Sequence, residues 1–556
     1  MRGLCAIVGI AAVAVVGCTT AQVDPPDEPP DPPEQAAPEE EPEDERAGGT
    51  LRIGLAIDPI SIDPRFVVDD EGELVVDALF DPLVRVDQQL RVVPAAATRW
   101  DIDDDGRVFT FHLREAAFHD GTPVTAADFK RTFDHIADGT ADPPSFLAYL
   151  LAPVEGAARA QEEGGGLEGV EVIDDDTLVI RLSAPQPGFV TTLADPSLVP
   201  LPPAAADDPE DYAIQPIGNG PFAMAEPREP DAFLRLTGFA DHHRPPLLDE
   251  VLLLIYPDDP ARDQQWEDLV NGALQVAEVS ADRVDEAIEL YGRSSDGYRG
   301  SGLLNGITST VYLYGFDTSR EPFDDARVRR AISMAIDRRA LANDVMQGVR
   351  VAANAIIPPP FPGSQRGACN HCRHDPEAAA ELFAEAREDT EVELDTITLA
   401  HNRGRTHAAI AERMAEDIEA ALDIEVELDA HDLQPFVQAV RRGDLPLFRL
   451  GWDAGEPDPG AFLYPLFHST QIGLDNLTRY DDEEVDALLN AARQAEDQGE
   501  ALSHYRAAER RILDEAPALP LMWYRHSIVV SSEVQDLYWS PLGRIDLPAV
   551  WLDSQP

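Results

Sequence analysis

Residues 19–49 hold almost nothing from which a core can be built, so folding has to begin after them. The stretch DPPDEPPDPPEQAAPEEEPEDERAGG is made largely of proline and acid. Proline is excluded from helix and sheet interiors. Eleven carboxylates against one arginine, Arg46, repel one another. With so little apolar surface to bury, the segment is expected to be an extended, disordered tether. Every core of this 556-residue chain must then be built from residues C-terminal to it.

The segment ahead of the tether reads as an address. Residues 4–16 form a 13-residue apolar run behind Arg2. That is too short for a stable membrane span and suits the core of a signal peptide. The string VVGC resembles a bacterial lipobox, which implies a signal peptide over 1–17 and acylation of Cys18 as the mature first residue. A lipid anchor followed by a tether over 18–47 puts the body outside the cytoplasmic membrane, on its outer face (periplasmic or cell surface). No other apolar run approaches 18 residues.

The charge is extreme. The chain carries 104 acidic and 43 basic residues for a net −61, and Lys130 is the only lysine. The leader holds +1 and residues 18–47 hold −10, which leaves −52 on the body. Phosphate contacts need clustered Lys and Arg, so nucleic acid is excluded as a partner. Attachment to anionic lipid by charge is excluded for the same reason. The acid surplus reads as a solvated surface suited to its medium, such as salty water. Hydrophobic content of 44% supports sizeable cores, and the length implies several domains.

Hydrophobic periodicity places the elements. Leu51, Ile53, Leu55 and Ile57 alternate as a strand, as do Phe109, Phe111 and Leu113, and Leu178, Ile180 and Leu182. Thr125 is expected to cap a helix with Phe129, Phe133 and Ile136 on one face. Residues 251–256 are continuously apolar, the pattern of a buried strand. Further on, Asp324 or Asp325 caps a helix bearing Val328, Ile332, Ala335 and Ile336. Ile397 and Leu399, then Ile410, Met414, Ile418 and Leu422, then Ile424, Val426 and Leu428 spell a β-α-β unit.

Several motifs suggest chemistry, and most have a plainer structural reading. His119 and Asp120 stand together, but Asp-Gly followed by Thr-Pro is turn chemistry, and no G-x-S-x-G nucleophile motif occurs. Gly218-Asn219-Gly220 lacks the Gly-Lys-Ser/Thr of a phosphate loop. Cys369, His371, Cys372 and His374 offer zinc ligands. With Cys5 in the leader and Cys18 lipidated, however, Cys369 and Cys372 are an even pair in an oxidising compartment, and a local disulfide is expected. His242 and His243 are expected in a solvated loop.

An ordered series of stretches resembles one family. FTFHLREAAFHDGTPVTAADF at 109–129, IGNGPF at 217–222, FDDARVRRAISMAIDR at 323–338, GWDAGEPDP at 451–459, NLTRYDDEEVDALL at 476–489 and ILDEAPALPL at 512–521 are similar to motifs of the family 5 solute-binding proteins of ABC importers. The resemblance covers about residues 49–556. It implies an α/β, two-lobed periplasmic-binding-protein-like fold (type II, cluster C-like) with an additional domain on the first lobe. Carried over here, lobe one is 48–85, 190–308 and 524–556, the additional domain is 86–189, and lobe two is 309–523. The chain is expected to cross between lobes near 308–312 and near Trp523, which makes a hinge.

The function so implied is capture of a small solute, most often a peptide, and delivery to an ABC permease by hinge closure, as a monomer without cofactor, metal or catalytic residues. Trp452 is the expected apolar wall. In peptide-binding relatives an aspartate three positions after this Trp grips the ligand ammonium; here that position is Gly455, with Asp453 or Glu456 as the candidate substitutes. Arg403 and Arg405 are candidates for a ligand carboxylate. Asp69, with Asp70 and Glu71, is expected to face the cleft and to favour a cationic or polyhydroxyl ligand. Because of Gly455, an oligosaccharide or another small solute is the alternative ligand. A secreted metallohydrolase using His371, His374 and the cysteines is the rival from another class, and a surface sensor without an importer is the third reading.

Overall fold

Alternation along the chain resolves into three main sheets, each with its own core. A computed structural model describes residues 46–553, apart from 104, 208, 258, 390–394 and 496. The expected signal segment, Cys18 and nearly all of the tether lie outside the described residues.

The first sheet has seven strands, in the order Gly302–Leu304, Ile528–Val530, Val276–Glu278, Thr50–Leu55, Glu250–Ile255, Phe233–Gly238 and Phe222–Met224. Thr50–Leu55 runs parallel to both neighbours, with Leu51 opposite Val251 and Ile53 opposite Val276. Leu51 and Ile53 pack with Val75, Val76 and Leu79 of the helix Asp70–Leu79. The run at 251–256 is less buried than its continuous hydrophobicity implies. Its burial alternates, with Leu252 and Leu254 only partly covered.

The second sheet has four antiparallel strands, in the order Ala97–Ile102, Val108–Leu113, Thr177–Arg181 and Val170–Asp174. Phe129, Phe133 and Ile136 of the helix Ala126–Ala137 lie fully buried in one core with Phe109, Phe111 and Leu178. Thr125 starts that helix with a capping box: its amide and hydroxyl both donate to Asp128 Oδ2 at 2.8 Å.

The third sheet has six strands, in the order Arg350–Ala352, Ala518–Arg525, Ile307–Phe316, Leu447–Trp452, Thr396–Asn402 and Glu425–His431. The β-α-β unit is Thr396–Asn402, the helix Arg405–Leu422 and Glu425–His431, its strands parallel with Ile397 opposite Val426. Asp325 caps the helix Ala326–Ala335 by accepting from the Arg327 amide at 2.7 Å. Tyr312 and Tyr314 face one core of this sheet, and Val311 and Leu313 the other.

The chain passes from the first sheet to the third between Leu304 and Ile307, and returns between Arg525 and Ile528. Among the described residues no helix is long and apolar enough to cross a membrane.

Candidate ligand site between the lobes

The strand Leu447–Trp452, an inner strand of the third sheet, leads directly into the loop after it. Trp452 is half-buried against that lobe's core, and its indole N–H donates to the Ala461 carbonyl at 2.7 Å. Asp453, next along, is exposed but held: Thr310 donates to its Oδ2 at 2.9 Å, and Ser309 bonds Oδ1. Both hydroxyls come from the start of the strand Ile307–Phe316. At Gly455 a built Cβ meets nothing within 4 Å, so this position opens on free space.

Facing this loop is the helix Asp70–Leu79 of the first lobe. Asp69 has a structural task there. Its Oδ1 accepts from the Gly72 amide at 2.9 Å and its Oδ2 from the Ile60 amide at 3.0 Å, so it is the helix N-cap. The acids after it do the facing. Burial raises Asp70, and Asp453 from the other lobe raises it further. Burial pushes Glu73 up to about 8, opposed by Arg544 and reinforced by Asp195, Asp70 and Asp453. Burial pushes Glu456 up to about 7, with Asp458 and Asp195 adding to it while the Thr192 hydroxyl and Arg544 oppose. Carboxylates from both lobes thus crowd one region, and Arg544 is the arginine that acts on both Glu73 and Glu456.

A second region has the opposite sign. Tyr312 lies between two guanidinium groups, Arg449 at 5.1 Å and Arg350 at 5.2 Å from its ring centroid. Arg350 also covers the Tyr524 ring at 3.8 Å. The Tyr312 hydroxyl sits 3.1 Å from His407 Nδ1. Burial, Arg449 and Arg350 push His407 down to about 4, so it is neutral near pH 7. The groups acting on Arg350 are Tyr524, Tyr312 and Arg449, with no carboxylate among them. Arg350 Nη1 and Arg449 Nε are buried without a hydrogen-bond partner. Both side chains are only partly buried, and a partly desolvated guanidinium with a free N–H can receive an anion. A cavity of about 840 Å³ opens beside Arg350, lined also by Arg525, Asn343, Asn354 and Asp337.

Arg403 and Arg405 flank the start of the helix Arg405–Leu422, whose His407 meets Tyr312. Arg403 is exposed and paired with Asp432 at 3.0 Å. Arg405 is exposed in the first turn of its helix, and neither is among the groups acting on His407 or Arg350. Sequence reasoning missed Arg449, two residues before the Gly-Trp motif it singled out, and Arg350 at the start of an edge strand.

The other motifs are structural. His119 accepts from the Gly218 amide at 3.1 Å and bonds the Gly220 carbonyl at 3.1 Å, which locks one turn to another. Asp120 accepts from the Thr122 amide and hydroxyl. Cys369 and Cys372 form a disulfide with their Cα atoms 5.3 Å apart.

A two-lobed body with a polar cleft is the architecture of a solute-binding protein. The chain matches the family described as bacterial extracellular solute-binding proteins, family 5, over residues 91–473, and it belongs to that family. It is 25% identical over 518 residues to the dipeptide-binding protein DppE of Bacillus subtilis (strain 168), a match covering 91% of this chain and 92% of that one. It is 29% identical over 479 residues to the probable deoxycholate-binding periplasmic protein YgiS of Escherichia coli (strain K12), covering 84% and 86%. Its fold matches that of HbpA2 from Haemophilus parasuis with a TM-score of 0.79 at 23% identity, covering 91% of this chain and all of the other. The family consists of binding proteins rather than enzymes.

Proposed function

We propose that this protein captures a peptide in the cleft and delivers it to an ABC permease by closure of the two lobes. The observation that carries the reading is the separation of charge: among the described residues no carboxylate is among the groups acting on Arg350, which shares the Tyr312 ring with Arg449, whereas carboxylates from both lobes gather around Asp453. A peptide is a zwitterion whose carboxylate suits Arg350 and Arg449 and whose ammonium suits Asp70, Glu73, Asp453 and Glu456. Trp452 supplies an apolar wall for side chains. Relatives named as peptide-binding, DppE among them, support the same ligand class.

Isothermal titration with a short peptide, its amidated form and its N-acetylated form tests this reading. Free peptide is expected to bind best, with loss of affinity on blocking either end. Equal binding of all three forms would overturn it. Gly455 favours one second reading, a solute with no ammonium group, such as a carboxylate-bearing apolar molecule or an oligosaccharide. Such a ligand would bind while free peptides fail.

The remaining parts of the proposal concern placement. Lipid on Cys18 holds the body at the outer face of the membrane, and residues 18–47 act as its tether. Lobe one comprises 48–85, 190–308 and 524–556, the additional domain 86–189 and lobe two 309–523, in a monomer. Metabolic labelling with a radiolabelled fatty acid tests the anchor, since Cys18→Ser should abolish incorporation.

A further inference from the structure

The loop between the strands Phe233–Gly238 and Glu250–Ile255 brings two adjacent imidazoles onto one carboxylate. His242 Nε2 lies 3.1 Å and His243 Nε2 2.5 Å from the same oxygen, Asp81 Oδ2. All three donor atoms fall within 4.8 Å of one another. The sequence suggests a solvated loop here. The fold instead buries His242 and Asp81 and leaves only the His243 ring partly exposed.

Two features separate this cluster from an ordinary Asp–His hydrogen bond. The backbone of Asp81 is clamped: its amide donates to Asn219 Oδ1 at 2.9 Å, and its carbonyl accepts from Asn219 Nδ2 at 3.2 Å. The carboxylate is therefore presented from a fixed point. In addition, the Arg244 backbone holds the ring at Nδ1, which lies 3.0 Å from the Arg244 carbonyl and 3.2 Å from the Arg244 amide N–H that donates to it. In the tautomer with its proton on Nδ1, donated to the carbonyl, the Nε2 lone pair faces a carboxylate oxygen, and two electron-rich atoms meet. A cation between them removes the conflict. An imidazole that gives its far N–H to a carbonyl is also the usual posture of a metal ligand.

We propose that Asp81, His242 and His243 form a site for a divalent transition-metal ion of the zinc class. Metal–ligand bonds of 2.0–2.2 Å set tetrahedral donors about 3.3 Å apart. The His242–Asp81 separation of 3.1 Å already fits, and His243, the more exposed ring at 2.5 Å, has to move outward from Asp81. A cavity of about 80 Å³ borders Asp81 and His242, with room for a water as fourth ligand. Two imidazoles and a carboxylate suit zinc better than calcium or magnesium, which prefer all-oxygen sites. The role is structural. Asp81 follows the helix Asp70–Leu79 where the chain heads for the four-stranded sheet, and the histidines belong to a loop of the seven-stranded one. The ion ties these segments together.

The test uses the full chain, purified without reductant so that Cys369 and Cys372 stay bonded, stripped with a chelator and dialysed against zinc chloride. One zinc per chain is expected, with cobalt(II) giving the visible bands of a four-coordinate nitrogen–oxygen site. Zinc should also raise the melting temperature. His243→Ala, at the partly exposed ring, and Asp81→Asn should each weaken zinc binding by about 100-fold or more, beyond what loss of a supporting contact costs. Circular dichroism confirms that the variants fold. Absence of zinc uptake at about 100 μM free metal, unchanged affinity in His243→Ala, or zinc lost only in His371→Ala would overturn the proposal.

Discussion

The amide of His526 donates to the carbonyl of Gly306 at 3.0 Å, and this bond joins the two passages of the chain between the lobes. The buried His526 ring stands edge-on to Tyr298, centroids 6.0 Å apart. The Tyr298 hydroxyl in turn donates to the Ile307 carbonyl at 2.7 Å. A Cβ on residue 306 would lie 2.1 Å from the Tyr298 ring, so only glycine allows this approach. The two backbone passages between the lobes are thus packed against one aromatic ring.

Gly306→Ala forces that ring aside. A loss of about 1–3 kcal/mol is expected from overpacking, read as a lower melting temperature in calorimetry. Adding Tyr298→Leu should recover part of it. If Gly306→Ala melts like the parent, the contact is not close in solution.

Arg449 and Arg350 repel each other at the Tyr312 ring, and among the described residues no carboxylate is among the groups acting on Arg350. Arg449→Gln should therefore leave the ligand-free protein as stable or slightly more stable. Its affinity for a ligand carboxylate should fall about 10- to 100-fold, the range of one charge-assisted hydrogen bond. Thermal melts and titrations of the same preparation separate the two effects.

Gly455 is exposed, its backbone is not in the left-handed region, and a Cβ there meets nothing. Gly455→Asp adds a carboxylate to the cleft at little steric cost. It should strengthen binding of free peptides several-fold and leave N-acetylated peptides unchanged. Improvement for both, or for neither, would show that the position does not meet the ligand's ammonium end.

Stability should depend on pH through the buried acids. Glu73 is pushed up to about 8, and Glu71 and Glu456 to about 7, each by burial first. A carboxyl raised on folding holds its proton more tightly in the native state. Its contribution is complete below the unfolded value near 4.5 and is lost as pH rises through 7 to 8. Ligand-free protein should thus melt at a higher temperature at pH 6 than at pH 8.5, and Glu73→Gln should flatten the difference. A bound ammonium reverses the trend, because it requires the ionised acids: peptide affinity should rise over the same interval.

With a net charge of −61, the chain repels itself, and salt shortens the reach of that repulsion from about 10 Å at 0.1 M to about 3 Å at 1 M. The melting temperature should rise with sodium chloride over this range. A fall would mean that surface ion pairs such as Arg327–Asp389 contribute more than the screened repulsion.

Much of the fold is legible in local pattern. The alternating Leu51 and Ile53, the caps Thr125 and Asp325, and the β-α-β unit from Ile397 to Leu428 follow from the two side-chain periodicities and from cap chemistry, which act over a few residues. The site is legible only where it is continuous, at 452–456. Asp69 shows the limit. An aspartate ahead of a helix is equally a cap or a ligand group, and the amides of Ile60 and Gly72 make it a cap.

By itself the sequence determines the family, the strand and helix spacing, and the charge that excludes nucleic acid, since these depend on residue order and composition alone. Only the tertiary structure decides which charges meet. It carries Arg350, His407 and Arg449 to one ring, Tyr312, from distant points along the chain, and Asp81 to His242 across 161 positions. Such contacts arise from how sheets register and pack, and no local spacing encodes them.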